Sequence, residues 1–353
     1  MFSASIPVAA TMAATLTAAV TTLLLLVRRQ WRRTSSLERD EQTPAETNKG
    51  THEGPTTLCT LGDDVLCVVF EGLRNPLDPR FAMDFSSANR GLWAVTQALR
   101  QQLKAEYEAA AALCLKVGLQ SCKELREATM ADWIHKGLSA VELATLGTLG
   151  SVLPKLKLLH LYETSGAGGP DGVQRLAEGL GAGSLPAVSM LVINSMHVGD
   201  AGASALAGAL GRGALPRLKS LVLDDAAIGD AGVVAIAPAL LRQPALMHLF
   251  LPTNPFGDEG LAALVLPSST PASALSPPAG VLPKLRWLDL RSTQVSDAGC
   301  AVLASALDSG ALPALCKLYL AGIPASADAK TAVRRPGLEQ WDCALDLHNP
   351  LGV

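Results

Sequence analysis

Charge is scarce in this 353-residue chain: 17% of residues are Asp, Glu, Lys or Arg, and they nearly balance at a net −3. A general nucleic-acid binder carries a basic excess, so no nucleic-acid partner is expected. The seven cysteines (Cys59, Cys67, Cys114, Cys122, Cys300, Cys316 and Cys343) are odd in number and include no C-x-x-C pair. That excludes a disulfide framework and the usual zinc spacing, so no metal site is expected. None of the six asparagines opens an N-x-S/T sequon. A reducing, cytosol-facing location follows. A Gly-Lys-Ser/Thr phosphate loop is also lacking, and no nucleotide or other cofactor is expected.

What is abundant is aliphatic, and it repeats. Six units each open with a proline and place Leu, Ile or Val two, five and seven residues later. From Pro154 these are Leu156, Leu159 and Leu161; from Pro186, Val188, Leu191 and Ile193; from Pro216, Leu218, Leu221 and Leu223. Pro244, Pro283 and Pro313 open the remaining three. The spacing predicts a short strand with its aliphatic side chains pointing inward, because strand side chains alternate. Gly199-Asp200-Ala201-Gly202, Gly229-Asp230-Ala231-Gly232, Gly257-Asp258-Glu259-Gly260 and Ser296-Asp297-Ala298-Gly299 then lead into Ala- and Leu-rich helical runs. The Asp is expected at the N-cap of its own helix, accepting orphan N–H groups. No unit can bury its apolar face alone, so the units must stack into a solenoid.

These residues resemble the leucine-rich-repeat family, in its long-repeat, ribonuclease-inhibitor-like class of one strand and one helix per unit. The resemblance implies an α/β fold with a parallel β-sheet inside the solenoid and helices outside. The chain departs from the family in the turn after the strand. Asn appears there only as Asn254, with Thr164, Met196, Ala226, Thr293 and Ile323 in the other five places.

Ahead of the repeats, Ile6 to Val27 is free of charge and is followed by Arg28, Arg29, Arg32 and Arg33. Its length suits a bilayer span, and the trailing arginines put the rest of the chain in the cytosol. Residues 1–33 are thus expected to form a transmembrane-like anchor with a basic flank. The other reading is an organelle-targeting or misassigned segment, which would leave a soluble cytoplasmic or nuclear protein. Residues 34–57 are polar and are expected to be a disordered linker. Residues 58–150 are expected to be all-helical, with capping-box starts at Cys122 and Ala140. The solenoid is expected over 151–335, with an insertion loop at 267–281 and an irregular tail at 336–353.

Within the helical region, Leu61, Asp63-Asp64 and Val69-Phe70-x-x-Leu73, followed by Ser87, Arg90 and Trp93, resemble the F-box. Gly62 stands where that family has proline, and its Cys-Arg-Arg-Trp segment is degenerate here. The resemblance implies docking to the linker subunit of a cullin–RING ubiquitin ligase through Leu61, Leu66, Val69, Phe70, Leu73 and Trp93. The alternative is a helical cap closing the solenoid.

Strand alternation also fixes which side chains leave the core for the concave face. Four of the five Tyr, Phe and Trp residues between 153 and 322 fall there: Tyr162, Phe250, Trp287 and Tyr319. Outward aromatics mark protein-binding surfaces. The candidate binding residues on this face are His160, Tyr162, Asn194, Asp224, His248, Phe250, Trp287, Asp289, Arg291 and Tyr319. No catalytic residue is expected. His160 and His248 lie three strands, roughly 14 Å, apart, and Asp289 and Arg291 are spaced like a surface ion pair. Two functions remain: a substrate-recognition adaptor of a cullin–RING ubiquitin ligase, or a stand-alone, membrane-tethered scaffold or sensor.

Overall fold

The computed structural model describes residues 62–88, 90–266 and 282–341. The expected span at 6–27, the linker at 34–57, Leu61, the insertion 267–281 and residues 342–353 lie outside these. Among the described residues no helix is long and apolar enough to cross a membrane. The chain divides into two compact units, Met1–Ala105 and Glu106–Val353.

In the first unit, α1 (Asp63–Leu73), α2 (Arg80–Ser87) and α3 (Arg90–Val95) pack with the start of α4 (Gln97–Val117). Helix α1 begins with two acidic residues, which suit the positive end of the helix dipole. It ends at Arg74, where Asn75 Oδ1 accepts the Leu77 N–H at 2.9 Å and turns the chain. The apolar stripe of α1 faces inward: Leu66, Val69 and Phe70 are buried, and Phe70 packs with Ala82 and Leu103.

The second unit is a solenoid. Its strands are β1 (Met130–Ile134), β2 (Leu158–Tyr162), β3 (Met190–Asn194), β4 (Ser220–Asp224), β5 (His248–Phe250), β6 (Trp287–Asp289), β7 (Lys317–Tyr319) and β8 (Glu339–Trp341). They pair in sequence order as one parallel sheet. Between them run α6 (Ala140–Leu149), α7 (Gly172–Gly179), α8 (Gly199–Gly211), α9 (Asp230–Leu241), α10 (Asp258–Val265), α11 (Asp297–Asp308) and α12 (Ala327–Ala332). Leu159, Leu191, Leu221, Leu249, Leu288 and Leu318 stand side by side in register and are buried, as the repeat spacing requires.

The sheet is longer than the expected solenoid at both ends. Short α5 (Cys122–Glu127), capped by Ser121, leads into β1, so a strand stands at 130–134 inside the region expected to be all-helical. The helix starts at Cys122 and Ala140 are as expected, the second with a full capping box from Ser139 and Glu142. Strand β8 adds regular structure within 336–353, where an irregular tail was expected.

Two further features hold the units together. Shortly after each of β3 to β7 stands a residue in left-handed conformation: Ser195, Asp225, Thr253 and Ser292 have φ between 49° and 56°, and Gly322 takes the same place after β7. Each of the four donates its N–H to a carbonyl of the next repeat, as Ser195 does to Asp224 at 2.9 Å. The second feature corrects the expected N-cap role of the repeat Asp. Asp230, Asp258 and Asp297 are first residues of their helices, and each caps the start of the next unit's helix instead. Asp230 Oδ1 accepts from the Gly257 and Gly260 N–H groups at 2.8 and 2.7 Å. Asp297 reaches Ser326 in the same way.

Candidate protein-binding face

Strand alternation delivers the candidate side chains to one face of the sheet, in rows that run across the strands. Across β3 to β5 the centre of the face is apolar. Met190, Val192, Val222 and Phe250 form a buried cluster, with Leu158 and Trp287 packed against it. The Phe250 ring meets the Trp287 ring edge-on at 6.2 Å, and Trp287 lies 4.6 Å from the His248 ring. Phe250 is 0% exposed and Tyr319 is also buried, so neither is the exposed aromatic that alternation alone suggests. Alternation assigns a side chain to a face; it does not say whether neighbours on that face bury it. Trp287 and Tyr162 remain partly exposed.

From β6 onward, and along the strand ends, the face turns polar. Asp289 and Arg291 were expected as a surface pair and are instead buried, with Arg291 Nη2 2.6 Å from Asp289 Oδ2 and Nε 2.9 Å from Oδ1. A bidentate pair satisfies both partners, which is what burying two charges requires. The Arg291 guanidinium also sits 5.5 Å over the Tyr319 ring. Asp224 stands beside this pair, and its carboxyl is pushed up from the usual range by burial and by Asp225 and Asp289. Asn194, its register neighbour, is buried with its Oδ1 unbonded among the described residues. His248 is held neutral: burial and the Arg286 guanidinium push it down to about 4, and its Nδ1 lies 2.8 Å from Ser220 Oγ.

His160 lies on β2, where its Nδ1 is 2.8 Å from Asp132 Oδ1 on β1. His248 is three strands away on β5, so the two histidines share neither proton nor metal. Among the described residues no group of three His, Cys, Asp or Glu side chains is placed to hold a metal ion.

In the helical unit, the candidate docking residues separate. Leu66, Val69 and Phe70 are core, which corrects their assignment to a partner surface; Leu73 packs on that core. Trp93 is 52% exposed, with the Arg100 guanidinium 3.2 Å over its ring. The side chains that do face solvent include Val65 at 43%, Val68 at 46% and Phe81 at 56%. A periodic apolar stripe identifies the core face of a helix; the exposed valines lie on its other side, where periodicity gives no signal.

A strand, a turn and a helix per unit, stacked in register, define a parallel repeat solenoid. Within it, residues 215–237 and 281–304 match the family model described as Leucine Rich repeat. Both stretches run from just before a unit's proline into its helix, so these units are leucine-rich repeats. No curated protein matches the chain. Among solved structures, an internalin from Listeria monocytogenes is similar at 14% identity, covering 67% of this chain and 95% of that chain, with a TM-score of 0.19. That likeness is too weak to carry an argument.

Proposed function

We propose that the protein is a protein–protein interaction module in which the repeat sheet holds a protein ligand and the helical unit docks onto a second protein. The observation that carries the second half is the exposure of Val65, Val68, Phe81 and Trp93 on a small unit whose own core is already filled by Phe70, Ala82 and Leu103. Large apolar side chains left in water beside a complete core mark a contact surface. By the F-box-like resemblance, the second protein is the linker subunit of a cullin–RING ubiquitin ligase, and the repeats select the substrate. Residues 6–27 would tether the whole to a membrane, with the bulk of the chain in the cytosol.

The second reading is a stand-alone repeat scaffold or sensor. It is favoured by the burial of Leu66, Val69 and Phe70, since any helical core would place apolar residues there. Binding of the full chain to purified linker subunit separates the two. The adaptor reading expects binding that is lost in Phe81→Asp with Trp93→Asp and kept in a conservative Val68→Ile variant. Absence of binding by the unaltered chain removes the adaptor and leaves the scaffold.

A further inference from the structure

We infer that one edge of the parallel sheet is a docking groove for an extended acidic segment of a partner protein. The inference rests on the reading of the chain as a protein-binding module and names the class of partner segment that the strand-start end of its inner face takes. The edge is where the strands begin. There, main-chain bonds link Thr129, Lys157, Ser189, Lys219, Met247, Arg286 and Cys316 into one row, each carbonyl from Thr129 to Arg286 accepting two N–H groups from the next unit and that of Cys316 accepting one. Lys157 accepts from Ser189 and Met190 at 2.8 and 3.2 Å, and Lys219 from Met247 and His248 at 2.8 and 3.0 Å. The row is therefore fixed by backbone, and its side chains stand at strand spacing.

Charge alternates along it. The units of β2, β4 and β6 open Pro154-Lys155-Leu156-Lys157, Pro216-Arg217-Leu218-Lys219 and Pro283-Lys284-Leu285-Arg286. The intervening units open Pro186-Ala187, Pro244-Ala245 and Pro313-Ala314, with Ser189, Met247 and Cys316 in the row. All six cations are exposed. Lys155 is paired with Glu127, whereas Lys157, Arg217, Lys219, Lys284 and Arg286 form no ion pair among the described residues. In a chain with net charge −3, three such cations in the row, with Arg217 and Lys284 two residues ahead of it, are a concentrated field.

Beside the row, from β1 to β5, lies a cavity of about 470 Å³ whose apolar lining includes Met130, Leu158, Met190 and Met247. Methionines adapt to apolar side chains of varied shape. Two strands separate successive basic units, roughly 10 Å at about 4.8 Å per strand. A segment in polyproline II conformation advances about 3.1 Å per residue with three residues per turn, so its every third residue faces a cation and a flanking residue reaches the groove. Single-stranded nucleic acid would need aromatic stacking platforms, and among the described residues His248 is the sole ring lining the groove. A flat anionic bilayer would leave the groove empty.

The test uses the full chain and a fluorescein-labelled peptide of repeating Glu-Val-Ser triplets, about a dozen residues long, with anisotropy as readout. A Lys-Val-Ser peptide, an oligothymidylate of similar length and phosphatidylserine vesicles are the comparison arms. The acidic peptide is expected to bind, more weakly as salt rises, and Lys157→Glu with Lys219→Glu and Arg286→Glu is expected to weaken it by roughly tenfold or more. Circular dichroism and melting temperature should not change, because the three side chains are exposed. If the triple variant melts early, Lys219→Gln alone is expected to weaken binding by roughly threefold. Equal binding of the Lys-Val-Ser peptide, indifference to the substitutions, or tighter binding of oligothymidylate or vesicles overturns the inference. A cross-linker at Trp287 on the inner face captures a protein ligand whatever its charge, so failure of the acidic-segment inference is distinguishable from failure of the protein-binding reading.

Discussion

Asp200 Oδ1 accepts the backbone N–H groups of Gly229 and Gly232, one repeat further along the chain, at 2.8 and 2.9 Å. The same carboxylate explains the glycine. A Cβ at position 232 would lie 2.5 Å from that oxygen, and at position 260 it would lie 2.9 Å from Asp230 Oδ1. The Gly-Asp-x-Gly signature is thus a staple between units. Asp200→Ala should cost about 1–2 kcal/mol, as loss of a helix cap does. Gly232→Ala should cost more, and part of that cost should vanish when Asp200 is also replaced. Urea midpoints of the two single variants and the double variant check this coupling.

His248 sets a pH dependence. Its folded pKa is pushed down to about 4, by burial and then by Arg286, from an ordinary 6.5. Between those values the unfolded chain binds a proton that the folded chain does not. Its contribution to stability is therefore present above pH 6.5 and lost as pH falls toward 4. Melting temperatures across that window should fall less steeply for His248→Gln than for the unaltered chain.

Asp224 runs the other way. Burial first, then Asp225 and Asp289, raise its carboxyl against the opposing pull of Thr253 and Arg291. A raised acid gives stability that is present below its unfolded pKa and lost as pH rises through the folded value. Asp224→Asn should raise the melting temperature at pH 8 relative to the unaltered chain and narrow the gap at pH 4. An unchanged difference across pH would show that the carboxylate is well accommodated.

The strands were legible because three aliphatic positions per unit recur in phase, and the register they predict is the register of β2 to β7. Strand β1 escaped because its inward residues are Ala131 and Trp133, with no proline ahead and no aliphatic pair. Strand β8, Glu339-Gln340-Trp341, has no aliphatic residue at all. Phe250 and Tyr319 were placed on the correct face, but their burial depends on what stands in the neighbouring strands. The helical unit shows the same boundary: spacing finds Leu66, Val69 and Phe70, and packing decides that they face inward. The Asp staple and the basic edge are relations between units about thirty residues apart, and only stacking brings them together.

Thiol reactivity offers an independent check on the solenoid's first turn. Cys114 is pushed up to about 12, by burial first and then by neighbouring Cys122, whose own thiol is also raised by burial. Thiolates, not thiols, react with iodoacetamide. At pH 8 the half-buried Cys67 and Cys316 should label before Cys114, Cys122 and Cys300. Fast labelling of Cys114 would show that the corner between α4 and α5 opens in the folded protein.

The most direct test of the protein-binding claim places a photo-cross-linking amino acid at Trp287, partly exposed on the inner face beside Phe250 and His248. The same amino acid at Val234, 40% exposed on helix α9, is the comparison. Irradiated in cells, the chain carrying it at 287 is expected to give a discrete protein adduct, repeated across preparations and absent at 234. Adducts formed equally from both positions, or none from 287 in a correctly folded chain, would contradict the assignment of the inner face as the ligand surface.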